Sequence, residues 1–128
     1  AAIASKNCSP VYKVNILKSN IHDSADNTTR FIIIGNHNIN ASGLDKTSIL
    51  ISVDNKVGAL NNLLSSLSKN KISMSKIESM PTKINNWEYM FLLDIDGHVD
   101  DKIVSRALKE IQRKSSFYKN LGSYPKSI

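Results

Sequence analysis

The feature that most restricts this fold is a change of apolar period, repeated along residues 46–125. Ile49, Ile51 and Val53 alternate with Ser48 and Ser52, the period of a half-buried strand. After a turn at Asp54-Asn55-Lys56-Val57-Gly58, Leu60, Leu63, Leu64 and Leu67 recur at i, i+3, i+4 and i+7. That spacing predicts one apolar helix face, ending near Asn70. Residues 72–79 read as a second strand, stopped by Pro81, which cannot donate to a ladder. Asn85-Asn86 suits a hairpin turn, and Trp87, Tyr89, Phe91, Leu93 and Ile95 alternate through a third strand that Gly97 ends. Asp100 or Asp101 is placed to cap a second helix, with Ile103, Val104, Ala107, Leu108 and Ile111 as its apolar face. Residues 117–124 form a last strand, closed by Pro125.

Strand, helix, strand, strand, helix, strand over about 80 residues is the ferredoxin-like arrangement. The expected class is α+β, with two helices on one face of an antiparallel sheet. Residues 37–45, rich in Asn, Ser and Gly and without periodicity, read as a linker. Residues 1–36 differ from the rest. A helix fragment is expected over 1–8 and strands over 12–17 and 30–35. Phe31-Ile32-Ile33-Ile34 is apolar on both faces, which suits the inside of a sheet with neighbours on each side. The chain offers no such neighbours, so residues 1–36 read as the tail of a larger domain rather than as an added edge strand.

Composition narrows the function. The net charge is +6 and the sequence pI near 9.5, but 14 of the 17 basic residues are lysine. Asn and Ile are also abundant, as AT-rich codons would supply them. Nucleic-acid surfaces lean on arginine, of which there are three, and no basic block exceeds Lys69-Asn70-Lys71. An RNA-recognition module also needs aromatics on both central strands, and residues 47–54 contain none. No nucleic-acid partner is expected. Nor is a membrane partner, because no apolar run nears the roughly 18 residues of a span. The single cysteine, Cys8, leaves no disulfide framework and no multi-cysteine zinc site, which suits a reducing compartment, the cytoplasm. No secretory signal is visible at Ala1. His22, His37 and His98 are dispersed in polar segments, so neither metal nor cofactor is expected. His98 with Asp100 and Asp101 reads as turn and capping chemistry.

Two stretches are more specific. Thr29-Arg30-Phe31 precedes the apolar run, and Gly58-Ala59-Leu60 is followed by Glu78-Ser79-Met80-Pro81. Ala1-Ala2-Ile3 with Ser5, Trp87-Glu88, and Leu121-Gly122 with Tyr124-Pro125 complete six short motifs. In their order and spacing the chain resembles prephenate dehydratase, most of all the C-terminal part of the bifunctional P-protein that joins it to chorismate mutase. Any one motif is a weak signal; six in register are specific.

The resemblance implies a division and a chemistry. Residues 1–36 would be a C-terminal fragment of the α/β prephenate dehydratase catalytic domain, 37–45 a linker and 46–128 an ACT regulatory domain. The implied reaction converts prephenate to phenylpyruvate, CO2 and water in L-phenylalanine biosynthesis. Thr29 is then the catalytic donor to the departing hydroxyl, Arg30 the substrate-binding fork for a carboxylate, and Phe31 the residue that packs the motif into the strand. Without the resemblance, Thr28 and Thr29 read as turn and strand-start residues. L-phenylalanine is the implied effector, bound by Gly58, Ala59 and Leu60 against Glu78, Ser79, Met80 and Pro81 across a homodimer of ACT domains. Gly58 opens a helix, whose N-terminus favours a carboxylate. Two departures carry expectations. Met80 stands where the family has arginine, so weaker effector binding is expected. Most of the family's catalytic cleft, and any chorismate mutase domain, falls outside these residues, so the chain alone is expected to be inactive. The alternative function is a free-standing ACT module that binds an amino acid without catalysis.

Overall fold

The first alternating segment folds as a strand, β1 (Asp45–Ser52), which buries Thr47, Ile49 and Ile51 on one face. In the computed structural model, which describes residues 1–23, 31–81 and 89–126, six elements follow the expected order from there. They are β1, α2 (Ala59–Lys69), β2 (Met74–Pro81), β3 (Tyr89–Asp96), α3 (Lys102–Lys114) and β4 (Phe117–Pro125). The four strands form one antiparallel sheet in the order β2-β3-β1-β4. Ile49 lies opposite Leu93, Thr47 opposite Ile95 and Ile51 opposite Phe91, so one face of the central pair is continuously apolar. Leu63 and Leu67 of α2 and Val104, Leu108 and Ile111 of α3 close over it into a single core. The helices are also stitched to each other. Arg106 Nε donates to Asn70 Oδ1 at 2.8 Å, and Lys114 Nζ donates to Ser66 Oγ at 2.9 Å.

Three local expectations are corrected. Ile103, counted on the apolar face of α3, is 54% exposed, because the face turned to the sheet is Val104, Ala107, Leu108 and Ile111. Asp101 is the N-cap of α3, but its carboxylate accepts from the His98 N–H rather than from a helix amide. The last strand is bulged: Ser48 faces Gly122 while Ile49 faces Asn120, so Leu121 is an extra residue, and Gly122 there takes φ 125°. The hairpin turn expected at Asn85-Asn86, and Trp87, lie outside the described residues.

The described residues form two compact units, Ala1–Gly35 and Asn36–Ile128. In the first, the helix is one short turn, α1 (Cys8–Tyr12), rather than residues 1–8, and Lys13 in the left-handed region ends it. No strand forms over 12–17. Residues 31–35 form none either, and Phe31 and Ile33 are 87% and 97% exposed. The packing role given to Phe31 is therefore not realised in this chain. The cause is the one that made the segment conspicuous: a strand apolar on both faces needs a neighbour on each side, and the described residues of this unit contain no strand.

The junction of β3 with α3 is tight. Gly97 has φ 104°, and a Cβ there would meet Val104 Cγ2 at 2.6 Å and Asp101 Oδ2 at 3.2 Å. Gly97→Ala is expected to lower the unfolding free energy by about 2–4 kcal/mol, strain plus overpacking, in urea melts. A loss below about 1 kcal/mol would show that the loop repacks freely. At the start of β1, the Ser42 hydroxyl is the largest influence holding the Asp45 carboxyl below its ordinary value. The Ser42 and Gly43 amides and the nearby His98 add to it, against burial, which pushes the value up. A depressed pKa stabilises the fold above the unfolded value and loses that contribution as pH falls through the folded one. NMR titration should therefore find Asp45 ionising below about 3.9, and Asp45→Asn should flatten that acid limb of the stability profile. An Asp45 midpoint at or above the ordinary value would contradict the geometry.

Candidate functional site

At one end of the central strands the chain forms a half-open cavity of about 150 Å³. Val53, Ala59 and Leu60 give it an apolar floor, Tyr89 and Phe91 an aromatic wall, and Asp54, Asn55 and Lys56 a polar rim. The floor exists because the chain leaves β1 at Val53 and turns straight into α2. The turn is closed by Lys56 N–H donating to Asp54 O at 2.7 Å and Ala59 N–H donating to Lys56 O at 3.1 Å. Gly58 makes the reversal with φ 78°, a conformation that disfavours any side chain. A Cβ at Gly58 meets nothing within 4 Å, so the constraint is the backbone angle and not crowding within this chain.

Charges at the rim are paired. Lys56 Nζ lies 2.8 Å from Asp54 Oδ2, with both side chains largely exposed, and the hydrogen bond to Asp54 raises the ammonium pKa further than its slight burial lowers it. Among the described residues no side chain caps α2 and no acidic residue sits in its first turn, which leaves the positive end of the helix dipole without a capping partner there. A site with an apolar floor, an aromatic wall and one charge of each sign at its mouth suits a small amphipathic zwitterion.

The register divides the second motif between two faces. Ser79 lies opposite Phe91 and Pro81 opposite Tyr89, so these two share the face of the cavity's aromatic wall, one strand away. Glu78 and Met80 face Leu92 and Met90 on the helix-free side, where Glu78 sits 3.1 Å from Lys76 Nζ. Thus Ala59 and Leu60 line the cavity directly, Ser79 and Pro81 adjoin its wall, and Glu78 and Met80 are turned away from it within one chain. Thr29 and Arg30 lie outside the described residues.

Some of these residues were not singled out in the sequence. Tyr89 and Phe91 carried a signal, alternate aromatics at the start of a strand, but that pattern equally describes a packed sheet face. The Asp54–Lys56 pair carried none beyond turn composition. Among the described residues no group of three His, Cys, Asp or Glu side chains is placed to hold a metal ion, and no helix is long and apolar enough to cross a membrane.

A four-stranded βαββαβ sheet with two helices on one face and a pocket at the first strand–helix turn defines an α+β domain of ferredoxin-like architecture. The chain belongs to the ACT domain family, whose model matches residues 47–113. The prephenate dehydratase family model matches residues 1–39. A bifunctional chorismate mutase/prephenate dehydratase of Aquifex aeolicus is 45% identical over 127 residues, 99% of this chain. Among solved structures, prephenate dehydratase of Arthrobacter aurescens in complex with L-Phe is 32% identical, with a TM-score of 0.66 over 72% of this chain and 30% of that one. The quorum-quenching acylase GqqA is 29% identical, with a TM-score of 0.67 over 73% of this chain and 34% of that one. The chain spans about a third of the length of the curated relatives it matches, 35% of the Aquifex protein.

Proposed function

We propose that the chain is the C-terminal portion of a prephenate dehydratase, and that its ACT domain binds L-phenylalanine as a feedback effector. The observation that carries the reading is the meeting of Ala59 and Leu60 with Tyr89 and Phe91 in one cavity, with Ser79 and Pro81 beside that wall. The zwitterion's carboxylate would lie at Lys56 and the start of α2, its ammonium at Asp54, and its ring against Tyr89 and Phe91. Prephenate dehydratases named among the relatives, and one neighbour's complex with L-Phe, support this ligand over others.

One chain supplies an incomplete site. About 150 Å³ is below the roughly 300–1,000 Å³ usual for ligand pockets. β2 is an edge strand whose Ser79, Met80 and Pro81 are exposed, so a second copy brought to that edge would complete the enclosure. A homodimer through the ACT domains follows, with the effector between subunits. This reading places the parent enzyme in the cytoplasm, a reducing compartment in which the free thiol of Cys8 is at home.

Catalysis belongs to the parent polypeptide. The ring hydroxyl of prephenate leaves as its C–O bond breaks, and the carboxylate is lost as CO2 so that its bonding pair aromatises the ring. The hydroxide takes a proton and leaves as water. Thr29 would hydrogen-bond the departing oxygen and Arg30 would hold a carboxylate. In the full-length parent, Thr29→Ala is expected to slow phenylpyruvate formation about 10²–10³-fold, the effect of removing one transition-state donor; an unchanged rate would make Thr29 a turn residue.

The second reading, an ACT module without catalysis, differs in origin but shares the ligand. Both are addressed by titrating millimolar L-phenylalanine into the 128-residue chain by calorimetry, thermal melt and size analysis, with prephenate turnover assayed in parallel. Binding, a rise in Tm of about 4–8 °C per kcal/mol of stabilisation, and a shift toward dimer are expected, without turnover. Gly58→Val should abolish the binding with little loss of secondary structure. Absence of heat, of a Tm shift and of dimer would refute the effector reading.

A further inference from the structure

His98 reads from the sequence as a turn residue, and in the structure it is buried, 2% exposed. Its ring reaches 59 residues back along the chain: Nε2 lies 2.9 Å from the carbonyl oxygen of Ile39. The other nitrogen, Nδ1, lies 3.2 Å from the Asp100 N–H. A carbonyl only accepts, so the contact to Ile39 requires a proton on Nε2. The Asp100 carboxylate, 80% exposed, lies 3.4 Å from Nδ1, and a proton on Nδ1 as well would leave the Nε2 contact to Ile39 intact.

Residues 36–44 have no regular structure and are exposed, but their backbone is tied at Ile39, Ser42, Gly43 and Leu44. The Ser42 amide and hydroxyl and the Gly43 amide donate to the Asp45 carboxylate at 2.8, 2.7 and 3.0 Å. Lys126 N–H donates to Leu44 O, and Gly97 N–H to Asp45 O, both at 2.8 Å. The far side of the loop is fixed too: Thr47 Oγ1 donates to Gly97 O at 2.7 Å, and Val99 N–H donates to Ser123 Oγ at 3.0 Å. Asp45 orders the segment's last turn through local bonds. Among the described residues, the hydrogen bond that reaches Ile39 comes from outside the segment, from the histidine.

We propose that residues 36–45 form a strap built into the ACT domain, and that His98 is the positioning residue that fixes it through the Ile39 carbonyl. The strap is thereby anchored to the ends of β1 and β3 opposite the cavity: Val53, Tyr89 and Phe91 stand at one end of that strand pair, Asp45, Gly97 and His98 at the other. A shift of β3 or of the 97–101 loop is carried to Ile39 through this bond. Only what such a shift responds to rests on the effector reading; the strap itself is tested without ligand.

The experiment is backbone relaxation of the amides of residues 38–41 in the full chain and in three variants, with β1 and β3 amides as internal control. Rigid order parameters near 0.85 are expected in the parent chain. His98→Gln keeps a donor at the position of Nε2 and should keep them. His98→Asn keeps an acceptor for the Asp100 amide but cannot reach Ile39, and like His98→Leu should drop them below about 0.6 while the sheet stays rigid. Mobile 38–41 amides in the parent chain, no loss in any variant, or equal loss in the Gln and Asn variants would each overturn the proposal. Should the variants fail to fold, the ring ¹⁵N shifts of the parent chain decide it: a proton on Nε2 supports the strap, and a ring whose Nε2 is unprotonated defeats it.

Discussion

The antiparallel pairing of β1 with β3 is the constraint on which the rest of the domain depends. Seven consecutive residue pairs, from Lys46↔Asp96 to Ser52↔Met90, fix which side chains meet the helices. A slip of one residue would turn Ile49, Ile51, Leu93 and Ile95 to the open face and dissolve the core. The same register sets both ends. It carries Val53 toward Tyr89 and Phe91, making the cavity, and it carries Asp45 to Gly97, making the anchor for residues 36–45. Cavity and anchor are therefore opposite termini of one rigid element.

Most of the sheet domain was legible because each apolar set there has a partner within the domain. The leucines of α2 find Ile49 and Leu93, and their 3.6-residue period survives into the structure. Ile103 departs because sequence spacing defines a face wider than the one the sheet covers; the outer margin of the stripe stays wet. Residues 12–17 and 31–35 failed for the converse reason. Strand propensity is realised through cross-strand neighbours, and Phe31, Ile33 and Ile34 have the propensity without the neighbours.

The site was legible in part, along the same division. Gly58 could be read because a left-handed turn leaves a residue signature, and its φ of 78° agrees. Tyr89 and Phe91 could not be assigned to a cavity from spacing alone, since the alternation that buries a sheet face also builds a pocket wall. The turn and capping chemistry read for His98 is present, but its burial was not legible because the partner that completes it is remote. The nearest sequence neighbours are Gly97, Val99 and Asp100, all consistent with a turn, whereas the contacts that bury the ring come from Ile39 and the folded β3–α3 junction. Local composition reports local structure; a long-range hydrogen bond leaves no period.

Register parity also bears on Met80. Alternate residues of a strand point to opposite faces, and Ser79 and Pro81 share the face of Phe91 and Tyr89. Met80 therefore projects to the other side of β2, 40% exposed and opposite Met90. An arginine at that position would not enter this chain's own cavity any more than methionine does. Its charge would be offered to whatever lies against the helix-free face or the edge of β2. Exchanging arginine for methionine there leaves the floor and aromatic wall of the cavity as they are, and replaces a directional, charged contact at the edge with an apolar one. In the dimeric reading, the exchange alters how a second subunit is held before it alters how a ligand fits. Dimer affinity and ligand affinity would then change together, because the same edge that carries Met80 carries Ser79 and Pro81 to the site.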